Sequence, residues 1–134
     1  MTGRFALNGF WTGITVLVVS LLGLLVGWWW LSIAAGLVGG VLTRRGGAAF
    51  LPSFTGTLLA WAVLDLWRMM PAQGGAGPLW QVTAIAGLPT AAGAAFMALP
   101  AVVAAVASGL SAVAMSSGRT ALERPQPEAP DVSA

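Results

Sequence analysis

One acid stands alone in the apolar part of this chain. Asp65, within "AWAVLDLWRMM", is the only carboxylate before residue 123, and Arg68 follows three residues later. On a helix that spacing places both side chains on one face, where they can pair. A carboxylate set in such apolar sequence is costly to desolvate, which makes it a functional candidate by itself. Its chemistry would be proton or cation coupling. Held by Arg68 beside Trp67, it would instead be an anchor at a membrane boundary. Trp61, one turn earlier, is spaced to shield the same face. Upstream, "PSFTGT" gathers hydroxyls, so Thr55 and Thr57 join Asp65 and Arg68 as a candidate intramembrane polar site. Hydroxyls in membrane helices also bond their own backbone carbonyls, which competes with that role.

Most other chemistry is excluded by what is missing. The chain has no His, no Cys and no Tyr, so disulfides, thiolate metal sites, histidine-ligated haem and histidine proton relays have no residues to build them. No phosphate-binding loop, serine elbow, HExxH or potassium filter is present. No nucleophile–base pair can be assembled, so no catalytic residue, metal or cofactor is expected and the chain is not read as an enzyme. The basic residues are all arginine and the net charge is only +2. That makes no basic face for phosphates, and nucleic acid is not an expected partner.

The composition states the solvent. Of 134 residues, 57% are hydrophobic and 7% charged, against about 25% charged in ordinary soluble domains. Mean hydropathy is +0.86. A charged shell cannot be made from so few ionisable groups, so lipid is expected to cover most of this surface. The 18 glycines, about twice the usual share of roughly 7%, fit that setting, because small residues let membrane helices approach closely. Gly23/Gly27, Gly36/Gly40 and Gly56/Ala60 recur at helical spacing as candidate packing seams. Ala104, Ser108, Ala112 and Ser116 extend the pattern into a stripe. Such seams serve packing within one chain or between copies.

The elements that carry these residues follow from length. The apolar run Leu7–Leu42 is nearly twice the about 20 residues needed to cross a bilayer, so it must fold back. Gly27 to Trp29 supplies the turn, since tryptophan collects at the headgroup level. Spans are expected over about 7–26, 30–42, 48–67 and 90–117, with a short interfacial or re-entrant segment at 79–88. Thr43 to Gly47, with Arg44 and Arg45, is a loop. An alternative parsing divides the last apolar stretch at Pro100 into two spans, 81–99 and 101–117.

Charge favours the first parsing. With four spans and the N-terminus inside, Arg4, Arg44, Arg45, Arg119 and Arg124 are all cytoplasmic and only Arg68 is outside. The same arrangement brings Trp28, Trp29, Trp30, Trp67 and Trp80 to one boundary as an interfacial belt. Residues 119–134, rich in proline and acid, read as a disordered cytoplasmic tail after a membrane domain of residues 1–118. The start of the chain lacks the pattern of a secretory signal. The fold class expected is therefore an all-α integral membrane protein, a four-helix transmembrane bundle with both termini cytoplasmic, in the cell membrane. The function expected is packing and assembly, as accessory subunit or small homo-oligomer, with the bilayer and a larger membrane complex as partners. The alternative is a minimal oligomeric channel or transporter using Asp65.

Overall fold

The computed structural model describes residues 2–43, 47–68, 70, 83, 85–87 and 89–122, and every regular element among them is helical. Helix α1 spans Thr2–Leu25, α2 Leu31–Leu42, α3 Phe50–Arg68 and α4 Thr90–Leu122, and a 3-10 turn at Gly47–Ala49 leads into α3. Two of these, α3 with its leading turn and most of α4, are long and apolar enough to cross a membrane. The apolar part of α1, Gly9–Leu25, is shorter. Helix α2, with 12 residues, rises only about 18 Å against a hydrocarbon core of roughly 30 Å.

The chain reverses where the tryptophans begin. Gly27 has φ +85°, a left-handed conformation that glycine adopts without strain. The Trp28 N–H donates to the Gly23 carbonyl at 2.8 Å and the Gly27 N–H to the Leu24 carbonyl at 3.1 Å, a Schellman closure of α1. Gly23 and Gly27 thus lie inside and outside one helix end, and of the two only Gly23 meets another helix. A Cβ on Gly23 would meet the Leu31 side chain, so this glycine lets α2 fold back tightly.

Contacts fix the order and direction of the helices. Helix α1 lies beside α3 in the same direction, with Gly13 against Pro52 and Val16 and Leu17 against Gly56. Helix α2 runs parallel to α4, with Gly36 at Ser108, Gly40 at Ala112 and Val41 at Arg119. Helices α3 and α4 are antiparallel, since Phe50 packs on Gly109 while Asp65 faces Ala98. Each helix therefore has two neighbours, in the cyclic order α1, α3, α4, α2. The tryptophan turn and the C-terminal end of α3 share one end of the bundle. The C-terminal ends of α2 and α4 share the other.

Helix α4 is continuous through Pro100, which is exposed, so the chain does not divide there. It also runs four residues into the segment read as tail. Within this extension the Arg119 Nη1 donates to the Val41 carbonyl at 3.2 Å, satisfying an end group of α2. The Thr120 hydroxyl bonds back to the Ser116 carbonyl at 2.9 Å, in the same turn. Residues 123–134 lie outside the described residues, as do Arg44 and Arg45. Of the segment 79–88, only buried Thr83 and exposed residues 85–87 are described, Gly87 with φ +60°.

The packing is inverted relative to a soluble bundle. Buried apolar residues are alanines with Val16, Leu24 and Leu64, and the remaining buried side chains are hydroxyls. Large apolar side chains face outward along every helix, among them Leu22, Val38, Leu59, Leu66, Phe96, Val103 and Leu110.

Candidate functional site

The hydroxyls meet in the middle of the bundle. Thr57 of α3 is fully buried and donates to the Ser108 Oγ of α4 at 2.8 Å. The Ser20 Oγ of α1 lies 3.4 Å from Thr57 Oγ1, so one line of hydroxyls ties three helices together. In lipid such contacts hold helices where apolar burial cannot, at about 0.6 kcal/mol each in measured bundles. Thr55, expected beside Thr57, is elsewhere. Two residues rotate a helix by about 200°, and Thr55 points outward and donates to its own Leu51 carbonyl at 2.8 Å. In the sequence Ser20 is an isolated hydroxyl and Ser108 a member of the small-residue stripe. Their shared depth with Thr57 comes from the packing.

Two more buried hydroxyls, Ser32 Oγ and Ser53 Oγ, have no conventional hydrogen-bond partner. For Ser53 the geometry supplies a weaker one. A Cβ built on Gly39 would collide with Ser53 Oγ, so a Cα–H of Gly39 is aimed at that oxygen. The same device repeats along α2. The corresponding hydrogen of Gly36 points at the Ser108 carbonyl and that of Gly40 at the Ala112 carbonyl. Gly36 and Gly40 are therefore occupied inside the chain, as the seam between α2 and α4. Gly56 serves α1 in the same manner, its Cβ position lying 2.6 Å from the Gly13 carbonyl. Ala60 packs one turn later in the cluster of Leu24 and Leu64.

Asp65 belongs to a different place. It is half-buried at the edge of an open groove of about 270 Å³ between α3 and α4, lined by Leu58, Ala62, Ala94, Ala98, Ala101 and Val102. Arg68, one turn on, is exposed. Among the described residues, however, the two do not close into an ion pair. Trp61 does not shield this groove. Its ring packs on the Leu24–Ala60–Leu64 cluster and lines a second, apolar groove with Trp29, Ile33 and Pro100. The expected polar site thus separates into three: Thr57 in the core, Thr55 on the outer surface, and Asp65 with Arg68 on the α3 flank.

The tryptophans cluster at one end. Trp28, Trp29 and Trp30 are each at least half exposed around the turn, with the rings of Trp28 and Trp30 stacked at 5.7 Å. Trp67 is exposed at the same end, while Trp80 lies outside the described residues. Trp11, which sequence reading passed over, is exposed on α1 about 22 Å of helix rise from the turn. Its indole marks the opposite end, and its distance from the triplet along one helix was the signal available.

Set against known protein families, curated proteins and solved structures, the chain matches none. Its function must be argued from its own geometry.

Proposed function

We propose that this chain is a multi-pass integral membrane protein that works by packing and assembly, as accessory subunit or small homo-oligomer, and not by catalysis. The observation that carries the reading is the inverted packing: hydroxyls and alanines inside, leucine, valine, phenylalanine and tryptophan outside. Only 33% and 35% of the most apolar windows of the two long helices are buried, whereas a core helix of a soluble protein is mostly buried. Such a surface is stable only against lipid or another apolar surface. Tryptophan-rich turns fit the boundary with water. Short α2 is accommodated by the tryptophan turn at one end and by local thinning of the bilayer. The excess of arginine at the other end supports cytoplasmic termini.

Assembly is favoured over transport by the location of space. The grooves lie on the flanks, and the interior hydroxyls of Ser20, Thr57 and Ser108 bond one another. Asp65 opens outward, toward whatever covers α3 and α4. The test is direct. The chain should resist alkaline extraction from membranes, and reporters fused after Arg45 and after Arg119 should both read cytoplasm, with one at Gly75 outside. An extractable chain, or an external C-terminus, overturns the proposal.

A further inference from the structure

Asp65 and Arg68 have an unfinished relationship. They share one face of α3, a spacing that lets them pair within the helix. Yet no ion pair forms, and the carboxylate faces an alanine-lined groove. A half-buried carboxylate beside apolar sequence needs a cation, and Arg119 is at the opposite end of the bundle, bonded to the end of α2. The cation at the correct depth is Arg68 itself, taken from another copy.

We propose that this chain forms a two-fold symmetric homodimer through the α3–α4 groove, in which Asp65 of each copy pairs with Arg68 of the other. The inference rests on the membrane reading above, because only a bilayer holds two copies at one depth. A two-fold axis along the membrane normal makes the contact isologous, so every residue i facing j implies j facing i. One residue pair thereby yields two charge pairs. The axial offset between residues 65 and 68 is about 4.5 Å, which an arginine side chain spans easily. Ala62, Ala94, Ala98 and Ala101 leave room for a second helix backbone to approach, as small residues do wherever membrane helices pack closely. The groove volume and the unpaired charges are then two aspects of one interface.

The experiment is complementation in trans, in lipid nanodiscs or vesicles, read by single-molecule photobleaching or chemical crosslinking over a range of protein-to-lipid ratios. The parent should dimerise. Asp65→Arg alone places only cations at the interface and Arg68→Asp alone only anions, and each should weaken self-association by about tenfold or more. Mixed together, the two single variants should form heterodimers, since each supplies the charges that the other lacks. A pair closed within one chain cannot be rescued in this way. Should either charge reversal fail to fold, Ala98→Leu, which fills the groove without touching a charge, must still abolish the dimer while leaving the thermal transition in place. A parent that stays monomeric at all ratios, single variants that dimerise as well as the parent, or a mixture that does not associate would each overturn the proposal. Alkaline extraction separates the two readings: a chain that integrates but stays monomeric loses the dimer alone, and one that does not integrate loses both.

Discussion

Helix α4 carries two runs of small residues, and the bundle treats them oppositely. Ser108 and Ala112 meet Gly36 and Gly40 of α2 so closely that no Cβ fits between them. Ala94, Ala98 and Ala101 meet α3 only at the floor of an open groove. The two runs share their spacing and their chemistry. What differs is the facing helix: α2 offers glycine at the contact, and α3 at this level offers Leu58, Ala62 and Asp65 around a groove. Small residues permit approach, and the partner decides whether it happens. The closed seam belongs to folding, and the groove stays open among the described residues.

The largest effect should come from the closed seam. Gly36→Val would drive a branched side chain into the Ser108 carbonyl, which is backbone and cannot rotate away. Overpacking of that kind costs about 3 kcal/mol, and the thermal transition in detergent should fall or vanish. Gly118, on the same α4 but with nothing within 4 Å of its Cβ position, is the control. Gly118→Ala should stabilise by up to about 1 kcal/mol through helix propensity alone. Equal effects at both glycines would dissolve the distinction between closed and open surface.

Next in size is the hydroxyl line. Thr57→Val keeps the shape but removes the donor to Ser108 and the neighbour of Ser20, leaving two buried hydroxyls unsatisfied. The expected loss is about 1–2 kcal/mol. Thr55→Val, two residues away, should change stability by less than about 0.5 kcal/mol, since its hydroxyl only returns to its own helix. The turn follows. Gly27→Ala forces a Cβ into φ +85° with open space around it, so the cost is backbone strain alone, about 1 kcal/mol.

The sequence made some of this legible. A run from Leu7 to Leu42 is too long for one crossing, and a glycine followed by three tryptophans is a poor helix interior and a good boundary. The reversal at Gly27 could therefore be located by length and residue type alone. Rotation of each helix about its axis could not. Thr55 and Thr57 look equivalent in "PSFTGT", and only the position of α1 and α4 makes one a core donor and the other a surface group. Gly36/Gly40 and Gly23/Gly27 have identical spacing, yet the first pair is a seam and the second a helix end. Spacing fixes which residues share a face, while the partner of that face depends on contacts far apart in the chain. Arg119 shows the same limit, since its guanidinium meets a carbonyl 78 residues away.

The smallest effect on folding is the most informative about the open groove. Ala98→Leu adds bulk where there is already about 270 Å³ of space between α3 and α4, at an exposed position. No backbone must move to admit it, so the thermal transition of the isolated chain should shift by no more than the about 0.5 kcal/mol typical of surface changes. The identical increase in size at Ala112, which is fully buried beneath Gly40, should be severe. Ala98→Leu and Ala112→Leu thus compare the two faces of one helix with one chemical change. If Ala98→Leu destabilises as strongly as Ala112→Leu, the groove is closed in the folded chain and Asp65 faces protein already present. If it leaves the transition unmoved, whatever occupies the groove must come from outside this chain, and the carboxylate at its edge is free to meet a second copy.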